Sequence, residues 1–295
     1  IFKKGLSYYV DPKDLTESKE ESIFFRKDSF NAKLNLGARQ IVNKFEEEKI
    51  SFSTLAKLSD FKLKRDILVY KLSDNPKNVA IEVRKCLYPT FTNDKRTFLK
   101  NFIEKLAEKN ILVFEFVETH NKVEKANING FYLSPNVIVL KRNQKSFKRE
   151  IFTLAHELGH YLLNEEEIDE NVNSETLSND LSKIEKWCND FAYYFLAGDY
   201  SKKIDLFNNS NANNDYYNDE INVISNYTHL STLAIYTRLL LNSQITLYNY
   251  KTVSENIIES IRLWEEKERN RIEHEKQKAL SEGRKLDGRT PKPII

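Results

Sequence analysis

Two histidines one helical turn apart are the residues of this sequence with the clearest chemical potential. His156 and His160 both occur in the segment FTLAHELGH, residues 152–160. On an α-helix, side chains four residues apart project from the same face, so both imidazoles can reach one ion. Zn²⁺ binds histidine nitrogens at about 2.0–2.1 Å. The spacing therefore predicts a zinc site with these two histidines as ligands.

A glutamate lies between the two histidines, and its position suits it to proton transfer. Glu157 is one residue past the first histidine, so its side chain is rotated away from the face that the imidazoles share. A carboxylate placed there can take a proton from a water molecule at the metal, which predicts Glu157 as the general base of a hydrolysis. The alternative is a surface helix with incidental histidines. It is disfavoured because only 5 histidines occur in 295 residues and two fall in this motif.

A catalytic zinc needs a third protein ligand and one position open to water. The segment 184–196 carries an apolar stripe at helical spacing, and Glu185 lies at the edge of that stripe. A carboxylate that faces inward is unfavourable unless a cation meets it, so Glu185 is our candidate for the third ligand. Asn189, one turn further on, can support a liganding histidine or Glu185 by a hydrogen bond. Two alternatives stay open: a glutamate at the rim of an ordinary amphipathic helix, and a ligand from the acidic segment Glu165–Glu170.

The elements around these residues predict an α+β fold. Apolar spacing, β-branched runs and turn residues indicate, in order, a helix, a strand, a hairpin and two further helices. These elements lie at about 98–106, 111–117, 128–140 with its turn at 134–136, 146–163 and 181–196. We expect a small mixed or antiparallel sheet packed on the helix of the two histidines and on a second helix that carries Glu185. Helical extensions are expected at both ends of the chain.

Patterns along the chain divide it into three regions. Residues 1–75 are predicted to form an N-terminal, mainly helical region, residues 76–203 the zinc peptidase domain, and residues 204–295 a C-terminal helical region. The C-terminal region opens with a polar, asparagine-rich segment at 208–215, which predicts a loop. It ends in a long helix of mixed charge from about 253 to 286.

The N-terminal region is predicted to contain two helices, one around residues 36–45 and a shorter one around 55–58. Segment 53–59 has some likeness to the first helix of a helix-turn-helix, but Asp60 stands where a glycine is expected in the turn. We therefore favour a packing or partner-binding role for this region. Nucleic-acid binding stays an open alternative.

The composition excludes some classes of protein. A formal net charge of +2, with 31% charged residues, argues against a chain wholly devoted to nucleic acid. The two cysteines, Cys86 and Cys188, lie far apart in apolar runs, which indicates free thiols in a reducing cytosol. No apolar run approaches the ~18 residues of a membrane helix, so we expect a cytoplasmic protein with no membrane partner. The chain starts at Ile1 and contains no methionine, so we also expect a native start upstream.

The two motifs together resemble those of the ImmA/IrrE family of metallo-endopeptidases. The resemblance rests on residues 152–160, on EKWCNDFA at 185–192 and on the strand-rich stretch at 129–140, and it covers roughly residues 76–200. It implies that Glu185, four residues before Asn189, is the third zinc ligand. It also implies a regulatory protease of bacteria or mobile elements that cleaves a repressor-like protein. The family usually ends its second motif in a Leu-Met-Pro-like sequence, whereas this chain reads LAGD at 196–199, which puts in doubt the helix end and the substrate cleft, not the ligands.

The remaining histidines and one tyrosine are weaker candidates for catalysis, and a non-catalytic function is also possible. His229 is a candidate electrophile and Tyr132 a candidate donor to the oxyanion, although a packed His229 is the favoured alternative. His120 and His274 are expected to be exposed. In the alternative function, the chain is a non-catalytic regulator that binds a partner or DNA and uses zinc as a scaffold. That alternative is disfavoured because structural zinc is normally closed by four protein ligands and Glu157 would then have no role.

Overall fold

The computed structural model describes residues 34–61, 64–118, 125–142, 144, 146–168, 182–207 and 217–283. In these residues a mainly helical chain surrounds one small sheet, so the predicted α+β class is confirmed. The helices are α1 (Leu36–Leu58), α2 (Pro76–Leu87), α3 (Lys95–Ala107), α4 (Phe147–Leu163), α5 (Lys183–Ala197), α6 (Tyr200–Asp205), α7 (Asn218–Thr228), α8 (Thr232–Leu241) and α9 (Leu247–Ser281). The strands are β1 (Leu112–Phe116), β2 (Gly130–Leu133) and β3 (Val137–Lys141).

The sheet is mixed, with the strand order β1-β3-β2. β2 and β3 form the predicted antiparallel hairpin, whose turn at residues 134–136 contains a cis Ser134–Pro135 peptide bond. β1 runs parallel to β3, with Leu112 opposite Val137. The β-branched and aromatic run at 111–117 predicts a buried strand, and this prediction is wrong for most of β1. β1 lies at an edge of the sheet, and its residues 112–115 are only half-buried.

The sheet is a middle layer between two helices, because successive side chains of a strand point to opposite faces. On one face, Tyr132, Ile138 and Leu140 join the main core, which includes α4 and α5. On the other face, residues 131, 133, 137 and 139 pack with α1 in a second core. The rings of Phe45 in α1 and Phe131 in β2 are 6.3 Å apart. Helix α1 therefore covers the back of the sheet that supports the predicted site.

The two helices predicted for the N-terminal region are wrong, because α1 is one continuous helix. Its buried stripe includes Phe45, Lys49 and Ala56 at helical spacing. A lysine in that stripe breaks the apolar pattern in the sequence, yet its amine is satisfied by donating to the carbonyl of Ser134 at 2.9 Å. The likeness to a helix-turn-helix is also not upheld, since no helix occurs in the described residues between Leu58 and Pro76.

The main core continues past the boundary predicted at residue 203. Buried residues of α6, α7 and α8, among them Ile204, Ile221 and Tyr236, share one cluster with α4 and α5. The predicted division into three regions stays a prediction. The long charged helix is present as α9, which begins before the predicted start, and the asparagine-rich segment and His120 lie outside the described residues. None of the described helices combines the length and apolar character needed to cross a membrane.

Candidate metal centre

Helix α4, which carries the two histidines, lies inside the protein. The hydroxyl of Ser146 caps its first turn by accepting from the amide of Arg149, and every residue from Glu150 to Leu163 is buried. The sheet packs along one side of α4, and α3 and α5 pack along others. The alternative of a surface helix with incidental histidines is therefore wrong, because the side chains of His156 and His160 are 0% and 1% exposed.

The structure brings His156, His160 and Glu185 together in one buried group. Nε2 of His156 lies 3.1 Å from Nε2 of His160. The two carboxylate oxygens of Glu185 each lie 3.1 Å from one of these nitrogens. All three groups offer a ligand atom within 4.8 Å of the others. Two nitrogens bound tetrahedrally to zinc at about 2.0–2.1 Å would be roughly 3.3 Å apart, close to the separation observed.

The hydrogen-bond partners of the two Nδ1 atoms indicate the tautomer of each histidine. Nδ1 of His156 lies 3.0 Å from the side-chain oxygen of Asn189, and Nδ1 of His160 lies 3.2 Å from the backbone carbonyl of Glu165. Each oxygen accepts a hydrogen bond, so each Nδ1 carries the proton. The Nε2 lone pairs then face one another and a carboxylate, an arrangement that only a cation relieves. The residues present fit a divalent metal ion.

The electrostatics of this group also favour positive charge. Burial by itself raises the pKa of Glu185, but His160 and His156 outweigh that effect and hold the pKa below its ordinary value. Burial opposes protonation of His160, yet Cys188 and Glu185 raise its pKa well above 6.5. The site therefore stabilises a cation at its centre, either a proton or a metal ion.

Helix α5 reaches the group through a close crossing with α4. A Cβ atom added to Gly159 would lie 3.1 Å from the Cα, Cβ and Sγ atoms of Cys188, so a side chain at this position would push the two helices apart by a few tenths of an ångström. Ser182 caps the start of α5, because its hydroxyl accepts from the amide of Glu185 at 3.1 Å. Cys188 itself is buried, and burial raises the pKa of its thiol to about 11.

Glu157 is buried beside the first residue of β2. Glu157 is 2% exposed, and a Cβ atom added to Gly130 would lie 3.1 Å from the Cγ atom of Glu157 and 2.8 Å from Cγ2 of Thr153. Glu157 is not one of the three groups whose ligand atoms converge. It therefore lies next to them in sequence and against the edge strand in space.

The acidic segment after α4 does not join the group in its described part. The carboxylate of Glu166 accepts from the amide of Ser134 at 2.6 Å, and that of Glu167 accepts from the hydroxyl of Ser182 at 3.0 Å. Glu165 contributes its backbone carbonyl to His160. Residues 169 and 170 lie outside the described residues.

The two weaker catalytic candidates have structural partners instead. The hydroxyl of Tyr132 lies 2.9 Å from both the carbonyl of Pro135 and the side-chain oxygen of Asn164. His229 is buried, its Nε2 lies 2.9 Å from the carbonyl of Thr92, and its ring stacks on Phe91. The packed His229 that the sequence favours is confirmed, and the roles of Tyr132 as an oxyanion donor and of His229 as an electrophile stay predictions. His274 lies exposed on α9, as expected.

Sequence reasoning missed three participants: Gly130, Asn164 and the carbonyl of Glu165. Asn164 has a φ of 54°, in the left-handed region, and ends α4. Asparagine directly after an apolar helix is a recognised signal for such an end, so that position was detectable. The other two depend on contacts between elements that no local pattern shows.

The structure thus presents a buried His-His-Glu group that can hold a metal ion, on two crossing helices beside a small mixed sheet. Residues 106–239 match the model of a peptidase family described as the IrrE N-terminal-like domain, so this stretch of the chain is similar to the metallopeptidases of the ImmA/IrrE family. The resemblance seen in the motifs is thereby confirmed. The matched stretch leaves out α1, α2 and most of α3. No curated protein and no solved structure matches the chain.

Proposed function

We propose that this protein is a zinc-dependent endopeptidase. The observation that carries the proposal is the convergence of His156, His160 and Glu185, whose ligand atoms meet in a buried site with both Nδ1 atoms held from outside. Three protein ligands leave one position for water or substrate, as in catalytic rather than structural zinc sites. Glu157, beside the liganding histidine, has the position of a general base.

The chemistry follows from what each residue does. When bound, Zn²⁺ supplies Lewis-acid polarisation of the scissile carbonyl and of the attacking water. Glu157 takes the proton of that water and then passes it to the nitrogen of the leaving amine, so the peptide bond breaks with no net gain of protons. Asn189 and the carbonyl of Glu165 keep both imidazoles in the orientation that holds the ion.

The edge of β2 that no described strand pairs with is the proposed position of the substrate backbone. The amide of Lys141 donates to the carbonyl of Asn129 at 2.8 Å, so these two residues form a hydrogen-bonded pair of the hairpin. Such pairs alternate along an antiparallel ladder, so the backbone groups of Gly130 and Tyr132 face away from β3. An extended peptide that pairs with them passes directly beside Glu157.

The proposed substrate is a specific regulator of bacteria or of a mobile element, a repressor-like protein, cut in the cytoplasm. This proposal is supported by the resemblance to the ImmA/IrrE family, whose members are typically regulatory proteases. The experiment compares the proteomes of cells that express the wild-type protein and Glu157→Gln. We expect a protein fragment that depends on the wild-type protein and disappears with a chelator. Identical fragment patterns in the two strains would count against an endopeptidase.

A second function, partner binding without hydrolysis, is favoured by one feature of the C-terminal region. A groove of about 1030 Å³ lies between α7, α8 and α9, and Trp264 on its rim is 64% exposed. Exposed aromatic side chains of this kind are typical of protein interfaces. If this function is correct, the Glu157→Gln variant keeps the cellular effects of the wild-type protein. The Trp264→Ala variant loses these effects.

A further inference from the structure

We propose that Asn164, locked by Arg65 and the hairpin turn, is the positioning residue that orients the metal-binding histidine His160. The inference rests on the proposed metal site and names the residues that keep one of its histidines in place. The backbone amide of Asn164 donates to the carbonyl of His160, whereas the side chains of Asn164 and Arg65 form their hydrogen bonds with other residues. Arg65 also lies outside the stretch that matches the peptidase family.

The first step is the contact that orients His160. Its Nδ1 donates to the carbonyl of Glu165 at 3.2 Å, and the amide of Glu165 donates back to the carbonyl of His160 at 3.1 Å. The residue before Glu165 sets the path by which the chain enters this contact. Asn164 has a φ of 54°, which turns the chain out of α4 and back across the end of the helix. The left-handed conformation of Asn164 thus brings the carbonyl close to the ring, and the side-chain contacts of Asn164 hold the chain in that position.

Three donor groups surround the side-chain oxygen of Asn164. Its oxygen Oδ1 lies 2.9 Å from the hydroxyl of Tyr132, 3.2 Å from that of Ser134 and 3.4 Å from Nη1 of Arg65. Two of these donors belong to the hairpin, and the third belongs to the segment between α1 and α2. One amide oxygen therefore ties the end of α4 to two other parts of the fold.

The third step is the arrangement of Arg65. Its guanidinium donates to the carbonyls of Tyr161, Pro135 and Ile67 and lies 3.7 Å from the centre of the Tyr161 ring. A planar fork with five donors suits this set of carbonyls, and a lysine cannot reproduce it. Because Tyr161 precedes the helix end and Pro135 lies in the hairpin turn, Arg65 holds the two sides of the Asn164 contact together.

The consequence concerns metal binding rather than folding alone. A hydrogen-bond partner of a liganding histidine fixes the ring and its protonated nitrogen, and loss of such a partner weakens metal binding about 10–100-fold. His156 has its own partner in Asn189, on a different element. A defect at Asn164 should therefore loosen one histidine and leave the other in place.

The central variant is Asn164→Gly. Glycine adopts the left-handed conformation without steric cost, so the helix can still end here, but the side-chain oxygen that holds the following chain in place is removed. Asn164→Asp is the matched control, since it retains an acceptor oxygen at the same position. The probes are Zn²⁺ alone, titrated against a chelator, and the Nδ1–H proton signals of ¹⁵N-histidine-labelled protein without metal.

In the wild-type protein we expect Nδ1–H signals from both His156 and His160, protected from exchange by their oxygen partners. Asn164→Gly should lose the His160 signal, keep that of His156 and bind Zn²⁺ about 10–100-fold more weakly. Asn164→Asp should restore both properties to within about threefold of wild type. A merely structural role would lower thermal stability and leave the two histidine signals alike.

Two results would overturn the inference: an intact His160 signal in Asn164→Gly, or unchanged affinity of that variant for Zn²⁺. If Asn164→Gly does not fold, Arg65→Lys is measured in the same way, with the same expectation for His160. A wild-type protein that shows both signals but binds no Zn²⁺ contradicts the proposed function. Selective loss of the His160 signal in Asn164→Gly would still support the positioning role.

Discussion

The side-chain oxygen of Asn189 lies 3.0 Å from Nδ1 of His156. An amide oxygen can only accept, so it fixes the proton on Nδ1 and leaves the Nε2 lone pair directed at Glu185. Asn189 and Glu185 are four residues apart on α5, so one helix supplies both a carboxylate and the support of a histidine. The position of α5 against α4 therefore decides the metal site.

The first prediction tests this contact. Asn189→Leu should bind Zn²⁺ about 10–100-fold more weakly, because His156 loses the acceptor that orients it. Asn189→Asp keeps an acceptor oxygen and should stay close to wild type. Competition with a chelating dye measures both affinities. Equal weakening in the two variants would show that the acceptor is not what matters.

The second prediction concerns the identity of the third ligand. Glu185→Gln should lower the affinity for Zn²⁺ by at least about 100-fold, because the neutral amide replaces the carboxylate that faces both Nε2 atoms. Glu167→Gln is the control, since its carboxylate meets Ser182 instead of the histidines. Metal content after dialysis distinguishes them. Full metal retention by Glu185→Gln would exclude it as a ligand.

The third prediction separates catalysis from metal binding. Gly130→Ala should retain Zn²⁺ but lose roughly 100-fold in hydrolysis, because the new methyl group displaces Glu157 and the edge of β2 by a few tenths of an ångström or more. Turnover of a cleaved peptide and metal content are measured on the same sample. An unchanged rate would show that neither the edge strand nor Glu157 requires this close approach.

The fourth prediction is a pH dependence of stability away from the metal site. Burial, with a further contribution from Lys95, lowers the pKa of Lys148 from 10.5 to about 8. Between these values the unfolded chain binds the proton and the folded chain does not, so this group makes stability rise with pH from about 8 to 10. Lys148→Met removes that dependence, and Ser225 keeps its bond to the carbonyl of Leu230.

We therefore expect Lys148→Met to be more stable than wild type at pH 7.5, with a smaller difference at pH 9.5. Denaturant unfolding at both values measures the free energy of unfolding. Tyrosines with raised pKa values affect stability only above their ordinary pKa of 10, which keeps them outside this window. A difference that grows with pH would contradict the assignment to Lys148.

The sequence by itself determined the local parts of this protein. The spacing of His156 and His160 predicts two imidazoles on one helical face whatever surrounds the helix, because that relation is set by 3.6 residues per turn. The hairpin with its turn at 134–136 and the inward-facing Glu185 are local in the same sense.

Only the tertiary structure decided which distant groups meet these residues. The sequence left Glu165–Glu170 open as a source of the third ligand, and the crossing at Gly159 and Cys188 brings Glu185 to the histidines instead. The sequence did not show that α1 is continuous, because Lys49 interrupts its apolar stripe. In the structure this lysine is buried and donates to the carbonyl of Ser134. Arg65 has no local signal at all. Contacts between residues about one hundred positions apart depend on how helices and strands pack, and packing leaves no periodic mark on the chain.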